Sequence, residues 1–289
     1  MMIENLTPAE YETLLRQDFT TFAARCFYDL NPQTELAMSW HLEVIAAKLT
    51  EVRRGTIRRL IINLPPRHLK SLMASIAFPA WCLGHDPSAQ ILCVSYAQDL
   101  ADKLARDCRA ILMSSWYRRI FRTRLALHRQ AVQEFLTTRQ GYRLATSNGG
   151  LLTGRGADII LIDDPLKPEE ALSDAQRHAA NEWFSHTLYS RLNNKRTGAI
   201  VIIIQRLHED DLVGHVLAQE EWDRLSAFRP SLKPMRCTRS RRSWDRDASC
   251  GGAARRCIPS ASRSIRSTAS AARLGNTTSP ANISNPLHR

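Results

Sequence analysis

Three short segments of this chain carry residues whose types and spacing suit work on a nucleoside triphosphate. The first reads Leu64-Pro65-Pro66-Arg67-His68-Leu69-Lys70-Ser71. In a phosphate-binding loop, backbone amides cradle phosphate oxygens, a lysine reaches the outer phosphates and the next hydroxyl faces Mg2+. Lys70 and Ser71 fit that pattern, but the two glycine positions hold Leu64 and Leu69. Taken alone, the segment reads equally well as a Pro-Pro turn before a helix. The second segment, Ile159-Ile160-Leu161-Ile162-Asp163-Asp164-Pro165, is an apolar run delivering two acids to its end. One such carboxylate can hold Mg2+ and the next can polarise an attacking water, although an acidic loop after a strand is common. The third, Gln205-Arg206-Leu207-His208-Glu209-Asp210-Asp211, follows the run AIVIII. Gln205 and Arg206 are placed to sense a terminal phosphate, whereas Asp210 or Asp211 reads as the cap of a following helix.

These groups are useful only if the backbone brings them together, and the apolar pattern says how. Residues 57–64, 89–96, 158–162 and 199–205 are near-continuous apolar runs, as expected of strands covered on both faces. Residues 72–83, 97–113 and 168–192 have helical spacing, and 132–137 with 142–146 form a strand pair turning near Gly141. Upstream, T-P-A-E at 7–10 combines a Thr cap, a Pro and a Glu that mark a helix start. Helical spacing runs on through Phe19, Phe22 and Phe27, and a second helix covers 38–52. The alternation implies an α/β fold with a central, mainly parallel sheet. All three chemical segments then lie at carboxyl ends of strands, where ligands of such sheets bind.

The formal charge of +12 is unevenly spread. Residues 1–230 hold 28 Lys and Arg against 26 Asp and Glu, while 231–289 hold 12 against 2. The basicity of the whole chain is therefore no argument for nucleic-acid binding by its first 230 residues. The last 59 residues contain eleven Ser, eleven Arg and no Glu, and show neither helical nor strand period. They read as a disordered basic tail or as the product of a shifted reading frame, the abrupt change favouring the latter. Cys26, Cys82, Cys93 and Cys108 form no C-x-x-C pair, so buried thiols are expected instead of zinc or disulfides. No signal peptide or membrane-length apolar run is evident, and a soluble intracellular protein is expected.

The series NLPPRHLKS, SYAQDLADKLARDCR, WYRRIF, YRLATSNGG, LLTGRGADIILIDDP, SRLNNKRTGAIV and IIIIQRLHEDDL resembles the N-terminal ATPase domain of phage terminase large subunits, over roughly residues 19–225. The resemblance implies a P-loop NTPase fold of RecA/ASCE type, a three-layer sandwich using ATP and Mg2+. It divides the chain into a helical segment at 1–55, the ATPase domain at 56–230 and the tail at 231–289. Pro66, Arg67, His68, Leu69, Lys70 and Ser71 would form the ATP loop, with Arg67 also catalytic. Ser71 and Asp163 would hold the metal, and Asp164 would be the catalytic carboxylate. Gln205 and Arg206 would form the coupling motif, which usually reads Thr-Arg. Trp40 and His41 would approach the base, with Gln33 a second position for that role. Arg155 would act on a neighbouring subunit's phosphate, or else be a surface or DNA-contacting arginine.

The resemblance further implies packaging of double-stranded DNA into a procapsid. The partners would be a portal protein and a small terminase subunit, in a homo-oligomeric ring in the bacterial host cytoplasm, with no membrane. Two departures stand out. The family loop reads H-G-K-S where this chain has Leu69; left-handed backbone there would cost about 1–2 kcal/mol, and the side chain would crowd the phosphates. The acids of the family's nuclease domain are also missing from 231–289, so nuclease activity is not expected. A catalytically weakened prophage remnant and a helicase-like ATPase are the competing readings.

Overall fold

The computed structural model describes residues 6–150, 152, 154–219 and 222–226, without the side chains of His128, Arg129, Gln130, Arg224 and Ser226. These belong to one compact unit, Met1–Pro234; a second unit, Met235–Arg289, holds nearly all of the expected tail and lies outside the described residues.

The chain opens with helices α1 (Pro8–Gln17), α2 (Phe19–Leu30) and α3 (Trp40–Arg53). Thr7 caps α1 in a full capping box with Glu10, as its sequence requires. The helical spacing from Tyr11 to Phe27 does not produce one helix: Asp18 takes up extended backbone and its carboxylate caps α2 at the Thr21 amide. Strand β1 (Arg59–Asn63) leads through the phosphate-loop segment into a π-helical stretch (Leu72–Ala77) and helix α4 (Phe78–His85). Then come β2 (Gln90–Ser95), α5 (Gln98–Met113), α6 (Ser115–Ile120), β3 (Leu125–Gln130), β4 (Glu134–Thr137), β5 (Tyr142–Ser147) and β6 (Ile159–Asp163). Helix α7 (Asp174–Glu182), β7 (Ala199–Ile204), α8 (Leu212–Leu217) and β8 (Asp223–Ser226) complete the order.

The single long helix expected over 168–192 is broken. A 3-10 turn (Glu170–Leu172) precedes α7, because the Ser173 hydroxyl caps α7 at the Gln176 amide, and π and 3-10 turns (Trp183–Leu188, Tyr189–Arg191) follow it. Strand β3 and helix α6 carry no pattern strong enough to be read from sequence.

One eight-stranded sheet has the order β3-β4-β5-β2-β6-β7-β1-β8. All pairings from β5 to β8 are parallel, and only β3-β4 and β4-β5 are antiparallel. The apolar runs divide by alternate residues. Leu60, Ile62, Cys93, Leu161, Val201 and Ile203 face a core shared with α1–α6, whereas Ile61, Leu92, Val94, Ile160, Ile162, Ile200 and Ile202 face one shared with Phe184, Leu188 and Val213. This is a three-layer α/β architecture with a mainly parallel central sheet. Strand β7 separates the loop strand β1 from the acidic strand β6. The helices of residues 1–55 share the first core: Phe22, Ile45 and Leu49 pack in it with Trp81 and Tyr117. Burial of each such side chain stabilises the fold by about 1.5–3 kcal/mol, which anchors the helix that carries Lys70 and Ser71. Among the described residues, no helix is long and apolar enough to cross a membrane.

Candidate functional site

The registers bring three strand ends to one edge, since Asn63 lies beside Ile204 and Asp163 beside Ile203. From β1 the chain turns back through Arg67 (φ 62°) and Leu69 (φ 55°), both left-handed, before Lys70 and Ser71 begin the helix. Such alternation bends the backbone so that successive amides face inward, and the first helical turn leaves its amides without helical acceptors. Leu69 thus carries the strain that its position implies. Its side chain, however, packs against the helical core and lines a small gap with Thr20, Ala23, Leu36 and Met38. It also lines the cleft that Lys70 and Ser71 border.

Lys70 is buried, and its Nζ lies 2.6 and 2.5 Å from the two carboxylate oxygens of Asp164. Asp164 sits at φ 45°, its amide donates to the Ile203 carbonyl at 2.9 Å and its Oδ1 accepts the Gln205 amide at 3.0 Å. One carboxylate therefore joins the loop lysine to the ends of β6 and β7. Gln205 participates through its backbone, a role that its side-chain identity could not reveal.

Asp163 is 1% exposed and its Oδ2 accepts the Ser75 hydroxyl at 2.7 Å, while its Oδ1 has no hydrogen-bond donor. Burial, and then the Asp164 charge, push its carboxyl up to about 6, against the pull of the Ser75 and Ser71 hydroxyls and of Lys70. A buried carboxylate oxygen without a partner, beside a serine hydroxyl and near the Pro66–Ser71 loop, is a donor that a small divalent cation could take. Among the described residues no group of three or more His, Cys, Asp or Glu gathers to hold a metal.

The other expected residues fall into place less uniformly. Pro66 and Arg67 are exposed on the loop, and the His68 Nδ1 lies 2.9 Å from the Pro66 carbonyl. His41 stands with its ring 5.3 Å from that of His68, and burial followed by the His68 charge holds its imidazole below the usual range. Trp40, 63% exposed, meets His41 edge-on, so the two form an aromatic ledge beside the loop. Gln33 is exposed in the turn after α2; Asn31 instead lines the cleft there. This cleft of about 380 Å3 lies between the end of α2, the loop and α5, and Lys103 and Asp107 also line it. Those residues sit on helices with ordinary polar faces, so nothing in the sequence marks them.

Arg206 is held within its own loop by Asp211 at 2.6 Å and by the carbonyls of His208 and Glu209. Asp211 in turn caps α8 at the Gly214 amide, as its position suggests. Arg155 is ion-paired with Glu134 at 2.7 Å and lies over the Tyr142 ring, before the start of β6 and thus at the opposite edge of the sheet from Lys70.

No protein-family profile matches the chain, and no curated protein matches it. Among solved structures it is similar to the HK97 bacteriophage large terminase, at 11% identity and a TM-score of 0.41, over 64% of this chain and 37% of that one. It thus spans little more than a third of that protein's length. It is also similar to a mutant of the large terminase ATPase domain of Thermus phage P74-26, at 14% identity and a TM-score of 0.40, over 62% of this chain and 69% of that one. The solved structures to which this chain is similar thus include two phage large terminases.

Proposed function

We propose that this chain is the ATP-hydrolysing motor domain of a phage terminase large subunit. The observation that carries the reading is Asp164, which grips Lys70 and the Gln205 amide while the neighbouring Asp163 keeps one buried oxygen open. In this reading the loop amides and Lys70 bind the phosphates of ATP, and Lys70 exchanges Asp164 for the outer phosphate oxygens. Asp164, released, orients a water and takes up its proton. Asp163 and Ser71 hold Mg2+, which supplies charge neutralisation at the phosphates when bound. Trp40 and His41 offer a face to the base, and Arg67 an exposed guanidinium to the phosphates. The release of Asp164 also frees the tip of β7, which gives Gln205 and Arg206 a route to report the phosphate state. Arg155 enters only as a group presented to a neighbouring copy, after leaving Glu134. The work done is packaging of double-stranded DNA into a procapsid, by a ring of copies acting with a portal and a small terminase subunit in the host cytoplasm.

Leu69 at φ 55° favours a second reading, a remnant that binds ATP without turning it over. Phosphate release by the purified full chain, measured with Mg2+-ATP in the presence and absence of double-stranded DNA, separates the two. Turnover stimulated by DNA supports the motor. Tight nucleotide binding without turnover supports the remnant, and absence of both removes the nucleotide from the site.

A further inference from the structure

The open oxygen of Asp163 is aimed by contacts that lie outside the loop and acid motifs. Ser75, four residues beyond Ser71 and 1% exposed, donates its hydroxyl to Asp163 Oδ2 at 2.7 Å, which leaves Oδ1 as the free acceptor. Ser75 belongs to the π-helical stretch Leu72–Ala77, and its carbonyl accepts Nη2 of Arg143 at 3.1 Å. Arg143, on β5, is fully buried, and its Nε and Nη1 have no hydrogen-bond partner; no ion pair compensates it among the described residues. An uncompensated buried guanidinium is costly, and an apolar residue of similar volume would fill the same space at less cost. Its one satisfied donor is the bond to Ser75. π-helical turns inside helices are frequent at functional sites, and this one is held from the side by that arginine.

We propose that Ser75 and Arg143 are positioning residues for the divalent cation of the nucleotide site. Ser75 locks one oxygen of Asp163 so that the other faces the cation, and Arg143 holds the turn on which Ser75 sits. The proposal rests on the nucleotide reading above. Partners that orient a metal ligand in this way are worth roughly 10- to 100-fold in metal affinity.

The experiment is a Mg2+ titration of fluorescent ATP-analogue binding by the full chain, with Mn2+ binding followed by EPR and melting followed in parallel. In Ser75→Ala, the Mg2+ needed for half-maximal tightening of nucleotide binding rises roughly tenfold or more, while binding in EDTA matches the parent. Ser75→Cys, similar in size and a weaker donor, falls between the two and serves if the alanine variant does not fold. Arg143→Met shifts the Mg2+ requirement in the same direction without a lower melting temperature, because it removes a buried charge. Parental Mg2+ and Mn2+ affinity in the Ser75 variants and in Arg143→Met overturns the proposal. So does an equal loss of binding in EDTA, which marks a merely structural role. If the parent binds nucleotide without any Mg2+ effect, the positioning role fails while ATP binding stands. If it binds no nucleotide at all, both fall.

Discussion

Left-handed backbone is handled in two ways in this molecule. Away from the site it falls largely to glycine: Gly55, Gly149 and Gly154 have φ between 72° and 78°, each with open space where a Cβ would stand. At the carboxyl edge of the sheet it falls to Arg67, Leu69 and Asp164. Among the described residues the fourth non-glycine of this kind, Gln140, sits in the turn between β4 and β5. Ordinary turns relieve strain through composition, whereas here Asp164 is held by Lys70 and the Gln205 amide and Leu69 by apolar packing, with Arg67 exposed. Asp tolerates this backbone moderately well, and a bulky residue does so poorly. Leu69 takes up this backbone while its side chain packs against the α2–α3 seam.

The largest effect that would sharpen the contrast is on chemistry. Asp164→Asn keeps the shape of the strained residue and removes its charge, so turnover should fall at least about 100-fold while nucleotide binding changes little. Parallel phosphate-release and binding measurements test this, and a parental rate would move the catalytic role elsewhere.

The next effect belongs to a glycine retained for space and not for φ. A Cβ at Gly141 would meet the Pro87 and Ala89 carbonyl oxygens at 2.4 and 2.6 Å. Gly141→Ala should therefore cost about 1–3 kcal/mol, seen as a melting temperature lower by about 2–4 °C per kcal/mol. Unchanged melting would show that the β4–β5 turn can move away from β2.

The third effect isolates strain at Leu69. Leu69→Ala and Leu69→Gly lose the same packing, but only glycine relieves the backbone, so the glycine variant should be the more stable by about 1 kcal/mol. At Gly55, Gly55→Ala should cost a similar amount. Calorimetry on the three variants decides it; an alanine variant at position 69 as stable as the glycine would remove strain from the account of the loop.

The smallest effect expected is none. Cys26, Cys82, Cys93 and Cys108 are buried free thiols, and burial raises all four, Cys108 to about 12. In the native chain at pH 8, mass spectrometry should find these four unmodified by iodoacetamide. Rapid labelling of any of them would mean that the helical core opens more readily than its packing implies.

Much of the fold is legible in the residues themselves. The runs around Ile61, Val94, Ile160 and Ile202 are apolar at every position because both sheet faces are covered, and that pattern by itself implies parallel strands. Thr7 and Glu10 specify their capping box, and Asp211 its cap, because those bonds close within three residues. The types of Lys70, Ser71, Asp163 and Asp164, and their places after apolar runs, are what motivate the proposed phosphate chemistry. The helix breaks at Asp18 and Ser173 are not legible, since a capping side chain competes with helical spacing and wins only by local hydrogen bonding. The position of β7 between β1 and β6 depends on strand order, which no local pattern encodes. Only the folded chain could place Arg143 behind Ser75, 68 residues apart in sequence, or join Asp164 to Lys70 across 94 residues. Sequence determines what each segment prefers and which groups it carries; which oxygen of Asp163 stays open is decided by long-range packing, because a hydrogen bond needs its partner within about 3 Å.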